Sequence, residues 1–311
     1  MTGALDSIVR LEAVDVATGR SETLLQTNLP LQSPSWSPCG RYLIANAAGR
    51  LYRIMLDREK RVLEQIFVDL LQSSHNDQAI SPDGTRLALT HKTELGRAAV
   101  YVMRMDRCSA ELAVAEVPAW FHGWSPDSST IIYACERKGR WAIGTCAAEG
   151  GRERIVIQAE EGTGHIYDAP EFSADGKWIW FNSDRCGQMA LWRMRVDGTG
   201  LQQMTEPEGE DWFPHPSPDG RHVCYLSYPR GTRGHPARQP VALRVMPAEG
   251  GPSRRLRSAI GGHGSMNAPC WSPDGRRFVF SSFGLPVDAA DAMPNGAYRG
   301  AWPSPTRMQG A

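Results

Sequence analysis

The sequence predicts an all-β fold, a six-bladed β-propeller whose last blade is completed by N-terminal strands. Three observations carry this. A Ser-Pro-Asp-Gly-like block recurs six times, beginning at Ser37, Ser81, Ser125, Ser173, Ser217 and Ser272, so the spacings are 44, 44, 48, 44 and 55 residues. Each block is followed by an apolar run of strand character: RYLIANA, TRLALTH, STIIYAC, KWIWFNS, RHVCYLS and RRFVFSS. The apolar pattern alternates with period two, and Pro-Asp-Gly would break any helix placed across it.

The elements follow in order. Proline presets φ, aspartate bonds back to the chain and glycine accepts a left-handed backbone, so each block is the tip of a β-hairpin. The strand before each tip ends in a large residue in five repeats: Trp36, Ile80, Trp124, Phe172 and Trp271, with Pro216 the exception. The runs GRLYRIML, AAVYVMRM, WAIGTCA, ALWRMRV and VALRVMP supply a third strand, and a fourth usually follows. Four strands in a repeat of about 45 residues is a propeller blade. After Asn267 the last repeat has only two strands, and its missing pair is read at the other end of the chain, as Ile8–Val16 and Glu22–Thr27. Residues 6–283 are therefore expected to form one propeller domain. Residues 284–311, rich in Ala, Gly and Pro without a period, are expected to be a flexible tail.

Composition narrows the function. The chain of 311 residues has 34 Lys+Arg and 34 Asp+Glu, for a formal net charge of zero. No nucleic-acid partner is expected, because phosphate binding needs a basic surface. No run of about 18 apolar residues is present, so no membrane partner is expected. The seven cysteines (Cys39, Cys108, Cys135, Cys146, Cys186, Cys224 and Cys270) are scattered and form no CxxC pair, which suits free thiols in a reducing compartment. With no secretory leader read at the N-terminus, a cytoplasmic monomer is expected. There is no GxSxG elbow, no phosphate-binding GxxxxGK[ST] loop and no dinucleotide-type glycine pattern.

The six blocks, with the stretches DAPEFSADGKWIWFNSDRCGQMALWRMRVDG and DWFPHPSPDGRHVCYLSYP, resemble the repeats of the TolB-like six-bladed β-propeller family, in particular a stand-alone bacterial subgroup. The resemblance spans nearly the whole chain and implies a protein- or peptide-binding scaffold. TolB proteins carry a further N-terminal α/β domain and a signal peptide, neither of which is read here. Oligogalacturonate lyases are similar in architecture, with metal-binding histidines at the propeller mouth. They supply the alternative, a metal-assisted lyase or hydrolase acting on a carbohydrate or uronate-like substrate.

Candidate site residues follow from the repeat. Five residues before the repeated serine stand Gln32, Asn76, Trp120, Asp168, Trp212 and Asn267. This column is expected to ring the channel mouth opposite the turns. Amides, a carboxylate and indoles there suit a small polar ligand such as a sugar, by orientation and stacking; equally, they suit turn caps and packing between blades. His75 and Asp77 flank Asn76, His165 and Tyr167 precede Asp168, and Asp211 and His215 flank Trp212. His75, His165 and His215 are the candidate ligands of a divalent metal, since imidazole with carboxylate suits zinc or manganese; otherwise no cofactor is expected. Acidic residues dominate the loops leading into the innermost strands, whereas Lys92, Arg97, Arg137, Lys138, Arg140, Arg185, Arg230, Arg233 and Arg238 lie in the loops after the second strands. An acidic throat inside a basic rim is expected. The longest insertion, Tyr228–Pro240, is a candidate partner contact or a free excursion.

Overall fold

A computed structural model describes residues 8–57, 61–67, 73–107, 109–206 and 208–284. The segment 285–311, and with it the expected tail, lies outside the described residues. Among those described, the secondary structure is entirely β and falls into six sheets.

The first blade comprises Gln32–Trp36, Tyr42–Ala47, Arg50–Met55 and Leu63–Ile66, and the second Ser74–Ile80, Arg86–Lys92, Ala98–Arg104 and Ala110–Leu112. The third comprises Ala119–Trp124, Thr130–Arg137, Arg140–Ala147 and Arg154–Gln158. The fourth runs Tyr167–Phe172, Trp178–Ser183, Ala190–Arg195 and Gln202–Gln203, and the fifth Glu210–Pro216, His222–Tyr228, Gln239–Pro247 and Arg254–Gly261. In all five the strands pair antiparallel in chain order. Contacts run from each blade to the next and from the sixth back to the first, which closes the ring.

The sixth blade is built from both ends of the chain, as expected. Arg277–Phe283 pairs with Val9–Asp15 in an unbroken antiparallel register from Val9 opposite Phe283 to Asp15 opposite Arg277. Val9–Asp15 in turn pairs with Ser21–Thr27. The innermost segment of this blade is reduced to a single bridge, Trp271 opposite Phe278, supported by the Val279 amide donating to the Cys270 carbonyl at 2.9 Å. Gly262 and Gly264 hold left-handed φ of 108° and 84° just upstream, and Pro269 brings no N–H, so a regular ladder cannot form there.

The hairpin tips show why the block recurs. In five of them the serine Oγ donates to the aspartate Oδ1 two residues on, at 2.5–2.6 Å. The same Oγ accepts the amide of the residue that starts the second strand, as Arg86 N does to Ser81 Oγ at 3.0 Å. The fourth position is left-handed throughout, with φ of 68–76° at the five glycines and 63° at Ser128. In the first blade Cys39 takes the place of aspartate, with its Sγ 3.5 Å from Ser37 Oγ.

Packing between blades explains the apolar runs. The second strands are buried along nearly their whole length, because neighbouring blades cover both faces. The buried polar exceptions are clamps. Asn46 Nδ2 donates to the carbonyls of Ser74 and His75. Thr90 Oγ1 accepts the Phe121 amide at 2.8 Å, and Asn182 Oδ1 accepts the Phe213 amide at 3.1 Å. Each stands nine residues after its repeated serine and satisfies a backbone group in the next blade's innermost strand. Two indoles add to this: Trp124 Nε1 donates to Ala79 O and Trp271 Nε1 to His215 O.

The closing strand buries Val9, Leu11 and Val14 completely. Leu11→Ala should lower the free energy of unfolding by about 2–5 kcal/mol in urea denaturation. Leu25→Ala, on the half-buried outer strand, should cost clearly less; equal losses would mean that the closing strand is not part of the core.

Candidate functional site

The channel is lined by the five regular innermost strands, and each breaks register once: between Gln32 and Ser35, Ser74 and Gln78, Phe121 and Gly123, Asp168 and Glu171, and Trp212 and His215. Within three of these bulges Ser33, Ala169 and Phe213 hold left-handed φ of 49–58°, each followed by a proline. A bulge re-aims the side chains around it. Here polar residues from several repeat positions turn toward the axis, not those of one column alone.

From the turn face inward, the channel opens as a funnel of about 390 Å³. Its walls are Trp36, Ile80, Trp124, Phe172 and Trp271 with a ring of prolines, and Glu171 is at its floor. Above the funnel, His215 Nδ1 lies 2.7 Å from Glu171 Oε2, and its Nε2 donates to the Met266 carbonyl at 2.7 Å. Burial opposes a charge on this imidazole. The neighbouring Cys270 sulfur, the Glu171 carboxylate and the Met266 carbonyl outweigh it and raise His215 to about 9. Glu171 is itself pushed up by burial and held back by His215.

The next layer holds two acids shifted in opposite directions. Burial, reinforced by the charge of Asp168, raises Asp77 to about 7. Asp168 is equally buried, but His122 and His235 more than offset the desolvation and hold it at about 2. His122 Nε2 is 3.1 Å from Asp168 Oδ1. Environments that separate two carboxyls in this way keep Asp168 ionised and let Asp77 exchange its proton near neutrality.

At the mouth opposite the turns, Asn76 Nδ2 lies 3.1 Å from His263 Nε2, and His263 Nδ1 lies 3.1 Å from His235 Nδ1. Asn76 Nδ2 donates to His263 Nε2, and His235 Nε2 lies 3.9 Å from Asp168 Oδ2. Burial pushes His235 down and, with the His235 neighbour, lowers His263 to about 4.

Of the residues singled out by the repeat, Asn76, Asp77, Asp168 and Asn267 come together here; Asn267 Oδ1 accepts the Gly264 amide at 2.7 Å and its Nδ2 sits 3.4 Å from His263 Nδ1. Trp212 is buried beneath His235. The others lie elsewhere. Trp120 stacks on Trp141, and Tyr167 packs on Phe181 in the fourth blade's core. His165 faces Asp184 at 3.6 Å. His75 stands at the seam of the first two blades, its carbonyl taking Asn46 Nδ2. Asp211 opens into a cleft of about 630 Å³ with Thr205, Tyr225, Ser227 and Arg244, where burial raises its carboxyl to about 6. The candidate metal ligands His75, His165 and His215 thus stand at three separate places. Among the described residues no three His, Cys, Asp or Glu side chains are grouped to hold a metal ion.

The residues that repeat spacing missed are His122, Glu171, His235 and His263. The first two come from other columns of the repeat, brought inward by the bulges; prolines three residues before the serine, at 34, 170, 214 and 269, are the sequence mark of that irregularity in four blades. The long insertion delivers His235. Part of the basic rim is neutralised locally: Arg137 is held by Glu153 and by the carbonyls of Glu116 and Pro118, and Arg185 lies 3.9 Å from Glu160.

Comparison with known proteins places this geometry. The chain is 36% identical over 278 residues to the uncharacterised protein Atu1656 of Agrobacterium fabrum, covering 89% of this chain and 93% of that protein. A solved structure from Agrobacterium tumefaciens, described as a TolB candidate, matches with a TM-score of 0.86 and 35% identity over 92% of this chain and 100% of that one. The Tol-Pal system protein TolB of Francisella tularensis subsp. tularensis is 24% identical over 255 residues, 80% of this chain and 56% of that protein, so the chain spans about half its length. An oligogalacturonate lyase solved with manganese shares the fold alone, at 15% identity and a TM-score of 0.53. No family model matches.

The His215–Glu171 pair has a pH signature. A pKa raised from about 6.5 to about 9 contributes stability that is complete below the lower value and is lost as pH rises through the higher one. Urea midpoints should therefore fall between about pH 7 and about pH 9 in the wild type, and Glu171→Gln should flatten that fall. Parallel pH curves for the two proteins would show that the imidazole does not carry the charge.

Proposed function

The chain belongs to the TolB-like six-bladed β-propeller family, and from that membership we propose that it is a binding scaffold that docks a partner polypeptide at its central channel. The observation that carries this is the funnel on the turn face. Three indoles, Ile80 and Phe172 line one concavity of about 390 Å³, ringed by Pro38, Pro82, Pro126, Pro218 and Pro273. Side chains of this kind in a rigid, partly desolvated pocket are those that dominate protein interfaces. The indoles are fixed before any partner arrives. Trp124 and Trp271 donate to the preceding blade, while Arg86 lies over Trp124 at 5.6 Å and Arg277 over Trp36 at 5.3 Å. Such preorganisation lowers the entropic cost of binding.

The partner's contribution is an apolar segment that fills the funnel, with Glu171 at the floor to receive one polar group. The relatives named for the Tol-Pal system support a polypeptide partner.

Ala174 occupies the funnel rim where the other five blades carry proline, so a larger side chain there narrows the opening without entering the core. Chemical crosslinking in the native host should recover a polypeptide with the wild type. Ala174→Arg should reduce recovery about tenfold, the effect expected when an interface anchor is lost. Leu95→Arg, at a fully exposed residue in a loop between second and third strands, should leave recovery unchanged. Equal recovery with all three proteins would rule out docking at the funnel.

A further inference from the structure

The fifth-blade insertion is not a free excursion. Residues 229–238 belong to no strand, yet they turn inward over the mouth opposite the turns and place His235 there. The imidazole meets the ring of Trp212 edge-on with centroids 4.6 Å apart, and that of Phe213 at 5.2 Å. It stacks on His263 at 5.0 Å and 25°. Its Nε2 lies 3.9 Å from the carboxylate of Asp168. Two aromatic rings, a third planar ring to stack on and a buried carboxylate are the parts of a socket for a planar cation.

The loop that fills the socket is itself basic. Between Tyr228 and Pro240 it carries Arg230, Arg233 and Arg238 and no acidic residue. Besides His235, it is held where Tyr228 Oη and the His263 amide both donate to the Pro236 carbonyl, at 3.2 and 3.3 Å, where the Gly231 amide donates to Glu210 Oε1 at 2.9 Å, and where Arg238 lies over the Phe283 ring at 5.4 Å. Gly231 and Gly234, with left-handed φ of 84° and 64°, precede His235 as conformational joints.

We propose that this mouth is a socket for an arginine side chain of a partner polypeptide, and that His235 is a self-docked occupant which the partner must displace. A guanidinium is planar like the imidazole, can take its place against the same rings, and can donate to Asp168 Oδ2, the oxygen that faces His235 while Oδ1 faces His122. An ammonium has no face to lay on His263, so lysine fits less well. The socket lies at the other end of the channel from the funnel and stands or falls independently of docking there.

The test uses the full chain and two peptides, Ac-Gly-Arg-Gly-NH2 and its citrulline counterpart, an uncharged isostere, titrated by calorimetry at low salt. His235→Ala should bind the arginine peptide about tenfold more tightly than the wild type, the scale of one desolvated cation–π contact with a charge-assisted bond. It should also prefer arginine over citrulline by about the same factor. A variant with residues 232–236 replaced by Gly-Ser repeats should behave like His235→Ala, which covers the case in which the single substitution disturbs the loop. Equal affinity for the two peptides, or no gain on removing His235, overturns the proposal.

Discussion

No blade of this protein can bury its own middle strands. Their apolar side chains alternate above and below the sheet, so each blade needs a neighbour on both faces, and the requirement passes around until the ring closes. Closure therefore rests on one pairing, the antiparallel ladder between Val9–Asp15 and Arg277–Phe283. It supplies the sixth blade with its outer half and covers the outer edge of Arg277–Phe283. The polar clamps at Asn46, Thr90 and Asn182 then fix the distance from each of their blades to the next.

A ring so closed has an axis, and the residues facing it are buried whether or not they are apolar. The chain fills the axis with imidazoles and carboxyls, whose costs are met by one another. Glu171 faces His215, Asp168 faces His122, and Asn76 reaches His263. Desolvation is the first influence on almost every one of these groups, and what separates Asp77 from Asp168 is that Asp168 meets two imidazoles within 4 Å. The outcome is a channel apolar at one end and ionisable at the other, and the two ends therefore suit different chemistries.

Much of the fold was legible in the sequence because its determinants are local. Ser-Pro-Asp-Gly makes a hairpin tip through bonds among residues no more than five apart, and the period-two run after it needs only burial. The terminal strands were legible by subtraction, since the last repeat lacked two. The site was only partly legible. Asn76, Asp168 and Asn267 share a repeat position and do converge, but Trp120 holds the same position and stacks on Trp141, and Tyr167, next to Asp168, packs on Phe181. A bulge changes which offset faces the axis, and His122 and Glu171 come inward through that change. His235 was hidden for another reason: its position is set by contacts with Trp212, Phe213 and His263, which no local pattern encodes.

The shared sixth blade also has a temporal side. Val9–Asp15 leaves the ribosome well before Arg277–Phe283, the strand it must pair with. At roughly 5–20 residues per second, the leading hairpin waits roughly 15–55 s with Val9, Leu11 and Val14 uncovered. Five blades can stack in order of synthesis while that hairpin stays a loose latch, its apolar face uncovered until the strand that completes the ring arrives.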